Sequence, residues 1–369
     1  MKNLTTILIV DDSLIFRKIV QKCLEGEEDI HVIGSVRNGV KAIDFIKKQR
    51  PDLVTLDIEM PEMNGIQTLS AIQEINAANV NKSPIGVIML SAFTKKGADI
   101  TIKALESGAF DFITKPEGND QQKNYSTLRR QLLAKIRYFT SRRIASQNKQ
   151  SQPIIVNKEK PTPEKVEKEE PVSQITQTKY KAILIGVSTG GPRALMSVIP
   201  ALCQRTNIPI MIVQHMPPKF TESLAESLNS KCRFQVVEAF NNQSIKNEHV
   251  YIAPGGKHML IKKKGAEIFI HTNEDPPVHG CRPSVDVLFE SASHIYGGDI
   301  VAVILTGMGT DGTEGLSYLK QRGVHIIAQD EASSVVWGMP GSAVRAGLVN
   351  DVQPLDKIPE CIANVLKRV

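Results

Sequence analysis

The sequence predicts an α/β protein of two folded domains, each built on a doubly wound, mostly parallel sheet, joined by a flexible linker. Three observations predict it. Short apolar runs of β type alternate with amphipathic stretches of helical spacing on both sides of a central break. That break, residues 149–179, holds four prolines, eleven charges and no aromatic residue, so it buries too little apolar surface to offset its ordering entropy. The 369 residues, 41% hydrophobic and 23% charged, suffice for two sizeable cores without metal or disulfide staples.

Before the break, Ile7–Val10, His31–Val36, Leu53–Leu56, Gly86–Leu90 and Phe112–Thr114 read as five strands. Leu14–Cys23 and Ala42–Lys48 read as helices between them. A further helical pattern over 124–145 carries one apolar stripe: Leu128, Leu132, Leu133, Ile136 and Phe139. After the break, Ala182–Val187, Ile210–Val213, Phe234–Val237, Ile300–Leu305 and His325–Ala328 read as strands, with a helix opening at Pro192. A hairpin of Val250–Ile261 with Glu267–Thr272 is expected, with turn signals at Pro254-Gly255-Gly256 and Lys262–Gly265. The expected division is a first domain at 1–122, a basic helix and linker at 123–179, and a second domain at 180–369.

Several function classes are excluded early. Ile300–Leu305, among the longest apolar runs, falls far short of the ~18 residues that cross a bilayer, so no membrane insertion is expected. The apolar start runs directly into Asp11-Asp12, unlike a secretory signal. Five scattered cysteines without a CxxC pair suit a reduced, cytoplasmic setting. The net charge of +6 is concentrated: residues 121–148 carry seven basic and no acidic side chains, whereas 1–120 carry 14 basic and 17 acidic ones. Neither domain therefore reads as a nucleic-acid-binding surface, and the basic segment is expected to be a solvated helix face.

In the first domain, Asp11 and Asp12 directly follow one strand and Asp57 follows another. In an open parallel sheet the carboxyl ends of the strands share one edge, where ligands bind. Three carboxylates there make a hard oxygen site for Mg²⁺ that recruits a phosphate. Ser91 and Lys115 end two further strands and supply a hydroxyl and an ammonium on the same edge. The chemistry expected is phosphoryl transfer to Asp57.

The joint pattern of Asp11-Asp12, D-x-x-M-P-x-M-N-G at 57–65, Ser91 and Lys115-Pro116 resembles the response-regulator receiver domain over residues 5–120. The resemblance implies Asp57 as phospho-acceptor, with Mg²⁺ held by Asp11, Asp12, Asp57 and the backbone carbonyl of Glu59. It implies Ser91 and Lys115 as phosphoryl contacts and Phe112 as the aromatic that reorients on switching. Asn64 departs from the aspartate of many receivers, which bears on the turn rather than on the chemistry.

In the second domain, Gly186-Val187-Ser188-Thr189-Gly190 fits G-x-S-x-G between a strand and a helix, the setting of a nucleophile elbow. A dinucleotide-binding turn is the alternative, but the next strand ends in Gln214-His215, without an acid for a ribose. His215 supplies a base one strand away, and Asp311, in the Gly-rich loop after IVAVILTGMG, supplies the carboxylate. Ser188 as nucleophile, His215 as base and Asp311 as orienting group follow. Cys281 beside His279 is a weaker nucleophile candidate, since an unpaired cysteine usually behaves as a small hydrophobe. No zinc site is expected, because the seven histidines after the linker form no HExxH and join no cysteine cluster.

IGVSTGGP (185–192), VQHMP (213–217), APGGKHM (253–259), GCRPSVDVLF (280–289), LTGMGTDG (305–312) and WGMPGSA (337–343) together resemble the catalytic domain of the chemotaxis receptor methylesterase (CheB) family. The resemblance carries the triad onto Ser188, His215 and Asp311, with Thr189 assisting and the Met308 backbone N–H as oxyanion donor. It implies hydrolysis of glutamate γ-methyl esters on methyl-accepting chemotaxis receptors, with deamidation of glutamines in many members, and no cofactor for the esterase chemistry. It also implies the chemotaxis histidine kinase as phosphodonor, with phosphorylation relieving inhibition by the first domain. Two other functions fit parts of the sequence: a phosphorylation-controlled esterase or amidase on another substrate, and a non-enzymatic receiver-linked binding protein.

Overall fold

The computed structural model describes residues 4–118, 120–150 and 179–368, so the expected linker lies outside the described residues except at its ends. In the first domain β1 (Thr5–Val10), β2 (Ile30–Val36), β3 (Leu53–Asp57), β4 (Gly86–Ser91) and β5 (Asp111–Thr114) form a parallel sheet ordered β2-β1-β3-β4-β5. The three inner strands are buried along almost their whole length, which is why they read as unbroken apolar runs. Helices α1 (Leu14–Leu24), α2 (Gly39–Lys48), α3 (Gly65–Ala77) and α4 (Lys95–Glu106) make the crossovers. Each opens on a side-chain cap, from Ser13, Asn38, Asn64 and Thr94 in turn. Asn64 and Gln67 form a reciprocal capping box, so the residue that departs from the receiver pattern serves as the start of α3.

Helix α5 (Gln121–Gln150) packs its stripe of Leu128, Leu132, Ile136 and Phe139 into the first domain's core, and the Tyr125 hydroxyl donates to the Lys22 carbonyl at 3.0 Å. Its positive charge is not a solvated face, as the sequence had suggested. Arg129 and Arg137 pair with Glu27, Arg137 also with Asp29, Lys135 with Asp111, and Arg143 with Asp52. The helix lies across the carboxylates of an acidic domain, so much of the local basic excess is answered from within the chain.

In the second domain β6 (Ala182–Val187), β7 (Ile210–Gln214) and β8 (Gln235–Glu238) are followed by the two-residue β9 (Gln243–Ser244) and by β10 (His249–Ile252). Then come β11 (His258–Lys264), β12 (Glu267–Asn273), β13 (Ile300–Ile304), β14 (His325–Gln329) and β15 (Asp351–Gln353). The helices are α6 (Gly191–Cys203), α7 (Phe220–Asn229), α8 (Val285–Tyr296), α9 (Thr313–Gln321), α10 (Met339–Arg345) and α11 (Ile358–Leu366). A seven-stranded parallel sheet runs β15-β14-β13-β6-β7-β10-β8, and β11-β12-β9 form a small antiparallel sheet.

The expected hairpin is corrected here. Its first arm is two strands: β10 lies between β7 and β8 in the main sheet, and only β11 pairs antiparallel with β12. Pro254 and the following glycines break the arm, and the buried Val250, Tyr251 and Ile252 suit a central parallel strand.

The two domains pack together through α4 and α7. Lys95 bridges Glu222 and Glu226 at 3.1 and 2.9 Å, and Lys231 donates to Glu106 at 2.7 Å. The Phe112 and Phe220 rings stack with centroids 4.8 Å apart, and the Lys219 ammonium donates to the Phe93 carbonyl at 2.9 Å. Farther along, the Trp337 amide donates to the Tyr138 hydroxyl of α5 at 2.8 Å.

Leu132 is fully buried. Leu132→Ala is expected to destabilise the first domain by about 2–5 kcal/mol in chemical denaturation; unchanged stability would mean that α5 adds nothing to that core.

Candidate active site and phosphorylation site

The first domain brings Asp11, Asp12 and Asp57 together at the carboxyl ends of β1 and β3, with carboxylate oxygens within 4.8 Å of one another. Asp11 and Asp57 are buried, whereas Asp12 is exposed. The set suits a hard divalent cation that keeps part of its water shell. Lys115 spans the pair, its ammonium 2.8 Å from Asp11 and 2.9 Å from Asp57. Burial pushes the Asp57 carboxyl up to about 6, against the pull of Lys115. Ser91 ends the neighbouring β4, but its hydroxyl accepts from Thr101 at 2.8 Å and faces α4. The Glu59 side chain points to Lys96 at 2.7 Å, leaving only its backbone for any role at Asp57. Phe112 stands on β5 with its ring against Phe220 of the other domain.

In the second domain Ser188 leaves β6 at the central position of the sheet and turns directly into α6. Gly190 makes that turn with φ +77°, and a Cβ there would lie 2.4 Å from Val335. The turn is tied down on two sides. The Gln214 amide donates to the Ser188 carbonyl at 2.9 Å, and the Thr306 hydroxyl to the Thr189 carbonyl at 2.9 Å. Gly307 passes close behind: a Cβ there would sit 2.9 Å from the Ser188 Cβ. Close backbone approach at the serine thus depends on a glycine that no spacing argument had singled out.

Strands β7 and β13 flank β6, so His215 and Asp311 follow its two neighbours. The His215 Nε2 and Asp311 Oδ2 are 2.6 Å apart. Asp311 is buried and accepts three further hydrogen bonds, from the Ser284 hydroxyl at 2.7 Å and from the amides of Val285 and Asp286 at 2.8 and 3.1 Å. These come from the start of α8, whose amides and dipole favour a negative charge. Burial alone would raise the Asp311 carboxyl, but His215 and these donors hold it well below the usual carboxylate range. Burial alone would likewise lower His215. Asp311 and then Cys281 override it, and the imidazole is pushed up to about 9.

Two neighbours of His215 and Asp311 take places that the sequence does not reveal. The Ser284 hydroxyl fixes the Asp311 carboxylate, and its only signal in the sequence is a serine at a helix start. Cys281 places its Sγ 3.7 Å from the His215 Nδ1, as well as 3.8 Å from the His279 carbonyl. Ser188, Thr189, His215, Cys281 and Met308 line one cleft of about 820 Å³. Its opposite wall is the first domain, through Phe112, Ile113, Thr114, Arg130 and Lys135.

Residues 183–362 match the family model described as CheB methylesterase, and residues 7–125 match that of the response regulator receiver domain. A protein of Desulfotalea psychrophila named protein-glutamate methylesterase/protein-glutamine glutaminase is 44% identical over 369 residues, covering all of both chains. A protein of the same name from Halalkalibacterium halodurans is 42% identical over 368 residues, again covering 100% of each. The crystal structure of the Thermotoga maritima CheB methylesterase catalytic domain matches 50% of this chain and 98% of its own, with 42% identity and a TM-score of 0.49.

If His215 is the base for Ser188, its raised pKa governs how the serine responds to pH. Only neutral His215 accepts a proton, so labelling of Ser188 by a sulfonyl fluoride is expected to rise about tenfold per pH unit and level off near the His215 value. Mass spectrometry of the labelled peptide reads this directly; a flat profile from pH 6 to 9 would detach His215 from Ser188.

Proposed function

The chain belongs to the CheB methylesterase family, and on that premise we propose that it hydrolyses glutamate γ-methyl esters of methyl-accepting chemotaxis receptors under control of its receiver domain. Deamidation of specific receptor glutamines is the second activity of the same site. The observation that carries the reading is the bond between His215 and the buried Asp311 at the strand ends beside the Ser188 turn.

The chemistry follows from that pair. The Ser188 Oγ adds to the ester carbonyl carbon as its proton passes to the Nδ1 of His215, the ring nitrogen that Asp311 leaves free. Asp311 keeps the other proton on Nε2 and stabilises the imidazolium. The Met308 backbone N–H, at the cleft, receives the oxyanion, a type of donor whose loss costs about 10²–10³ in rate. Thr189 flanks the serine in the same turn. Collapse breaks the carbon–methoxy bond, and His215 returns its proton to release methanol. Water, deprotonated by His215, then attacks the acyl-serine and frees glutamate. On glutamine, ammonia leaves in place of methanol.

For the receiver, Asp57 is the phospho-acceptor and the chemotaxis histidine kinase the phosphodonor. Asp11, Asp12, Asp57 and the Glu59 carbonyl are assigned to Mg²⁺, which offsets negative charge between carboxylate and phosphoryl oxygens. Lys115 and Ser91 are assigned to those oxygens, Ser91 after its hydroxyl turns from α4. Repression rests on the shared cleft. A receptor helix is about 10–12 Å across with its side chains, and it reaches Ser188 only when the receiver wall moves away. Phe112, stacked on Phe220, couples the phosphorylation site to that wall. No helix among the described residues is long and apolar enough to cross a membrane, and the five free cysteines suit reaction in the cytoplasm.

Methanol release from methylated receptor membranes is expected to vanish in Ser188→Ala; release lost only in Cys281→Ala would make the thiol the nucleophile. Asp57→Asn is expected to abolish stimulation by a small phosphodonor with Mg²⁺, and a normal response would defeat that assignment. Lys95→Glu sets a fourth carboxylate beside Asp99, Glu222 and Glu226 at the domain interface and is expected to raise unphosphorylated activity several-fold. Unchanged basal activity would remove the α4–α7 contact from repression.

A further inference from the structure

The five free cysteines are scattered through the sequence, yet the fold brings two of them into contact. Cys203 is the last residue of α6 and is fully buried, whereas Cys232 lies half-buried in the turn after α7. Both pack against the same hydrophobic core, and their thiols share a hydrogen bond. Arg233, next to Cys232, ties that turn to the end of α6, donating to the carbonyls of Cys203 at 3.3 Å and Thr206 at 3.2 Å.

The two sulfurs have unlike surroundings. Cys232 is reachable from solvent and sits between Lys231 and Arg233 in the chain. The Cys203 thiol, helped by the Lys231 ammonium and opposed by burial, holds Cys232 below its ordinary value. Its Cys232 neighbour and its own burial push Cys203 up, so that thiol keeps its proton. A half-exposed thiol with a donor and a cation beside it is the kind that oxidants attack first. A buried thiol in contact with it is placed to resolve the product. Cys23 and Cys361 are pushed up by burial, and neither has a thiol partner among the described residues.

We propose that Cys203 and Cys232 form an oxidant-sensing dithiol that hydrogen peroxide closes to a reversible disulfide. The Cys232 sulfur attacks one peroxide oxygen and the O–O bond breaks. The departing hydroxide takes up the proton that Cys232 gave up and leaves as water, with Cys232 now a sulfenic acid. The Cys203 sulfur then attacks the Cys232 sulfur; the S–O bond breaks, and hydroxide leaves with the Cys203 proton as a second water. The two thiols lose two electrons and two protons to the peroxide, and a dithiol reductant reverses the change. Transient disulfides of this kind are the ones a reducing compartment permits. The bond pins the turn after α7 to the end of α6. That turn carries Lys231 to Glu106 of the receiver at 2.7 Å, so the couple stands against the domain boundary. The sequence concealed it because the pair forms no CxxC and is joined only by the packing of α6 against α7.

The test is a thiol map of the full chain after brief exposure to an equimolar amount of hydrogen peroxide. Free thiols are blocked, the chain is digested without reductant, and linked peptides are read by mass spectrometry. A Cys203–Cys232 link is expected as the first oxidation product, formed at least about tenfold faster than any change at Cys361 and lost on adding dithiothreitol. Cys232→Ser is expected to abolish the link. In Cys203→Ala, oxidation at Cys232 is expected to stop at the sulfenic acid, which dimedone traps. The map of the unaltered chain decides the matter should that variant misfold. Oxidation reaching Cys281 or Cys361 first would overturn the proposal. So would a sulfinic acid at Cys232 while Cys203 remains a free thiol.

Discussion

The Asp311 carboxylate is the constraint on which the chemistry proposed for the second domain depends. It is buried, charged and held by four groups from two parts of the chain: His215 after β7, and the Ser284 hydroxyl and two amides at the start of α8. Removing one partner of such a set leaves an uncompensated buried charge. The same bonds therefore orient the imidazole and anchor the start of α8. Geometry at the serine is inherited from that anchor, because His215 has no freedom to turn its Nδ1 elsewhere while Nε2 stays on Asp311.

The parallel sheets explain why both sites lie at strand ends. In each domain the apolar strands run inward and release their polar residues at one edge, so Asp57 and Ser188 each follow an interior strand. The link between the two edges is made of different material. It consists of aromatic stacking at Phe112 and Phe220, flanked by the ion pairs of the half-buried Lys95 and of Lys231 at the domain boundary. The partners Glu222, Glu226 and Lys231 lie at the surface, where such pairs contribute modestly and weaken with salt. An interface so built is suited to reversible opening.

The strand-end residues were legible because local pattern encodes them: an apolar run followed by an acid, a histidine or a G-x-S-x-G turn marks its own place in the fold. What sequence alone concealed was pairing at a distance. The continuous apolar arm at Val250 gave no sign that Pro254 divides it between two sheets. The α5 arginines read as a solvated face because their partners, Glu27, Asp29 and Asp52, lie about a hundred residues earlier in the chain. Cys281 was weighed against its sequence neighbour His279, whereas the fold brings it to His215. Ser284 was visible only as a helix start, and its role at Asp311 arises from the approach of β13's loop to α8.

The cleft shared by two walls has a thermodynamic corollary. Coupling between sites is reciprocal. If phosphorylation at Asp57 loosens the receiver from the serine, then whatever occupies the serine by pushing the receiver aside must make Asp57 easier to phosphorylate. A receptor presenting its ester would thus prime its own demethylation. A small inhibitor that filled the cleft and touched Phe112 from one side and His215 from the other would do the reverse, acting as a molecular glue that silences the signal as well as the enzyme.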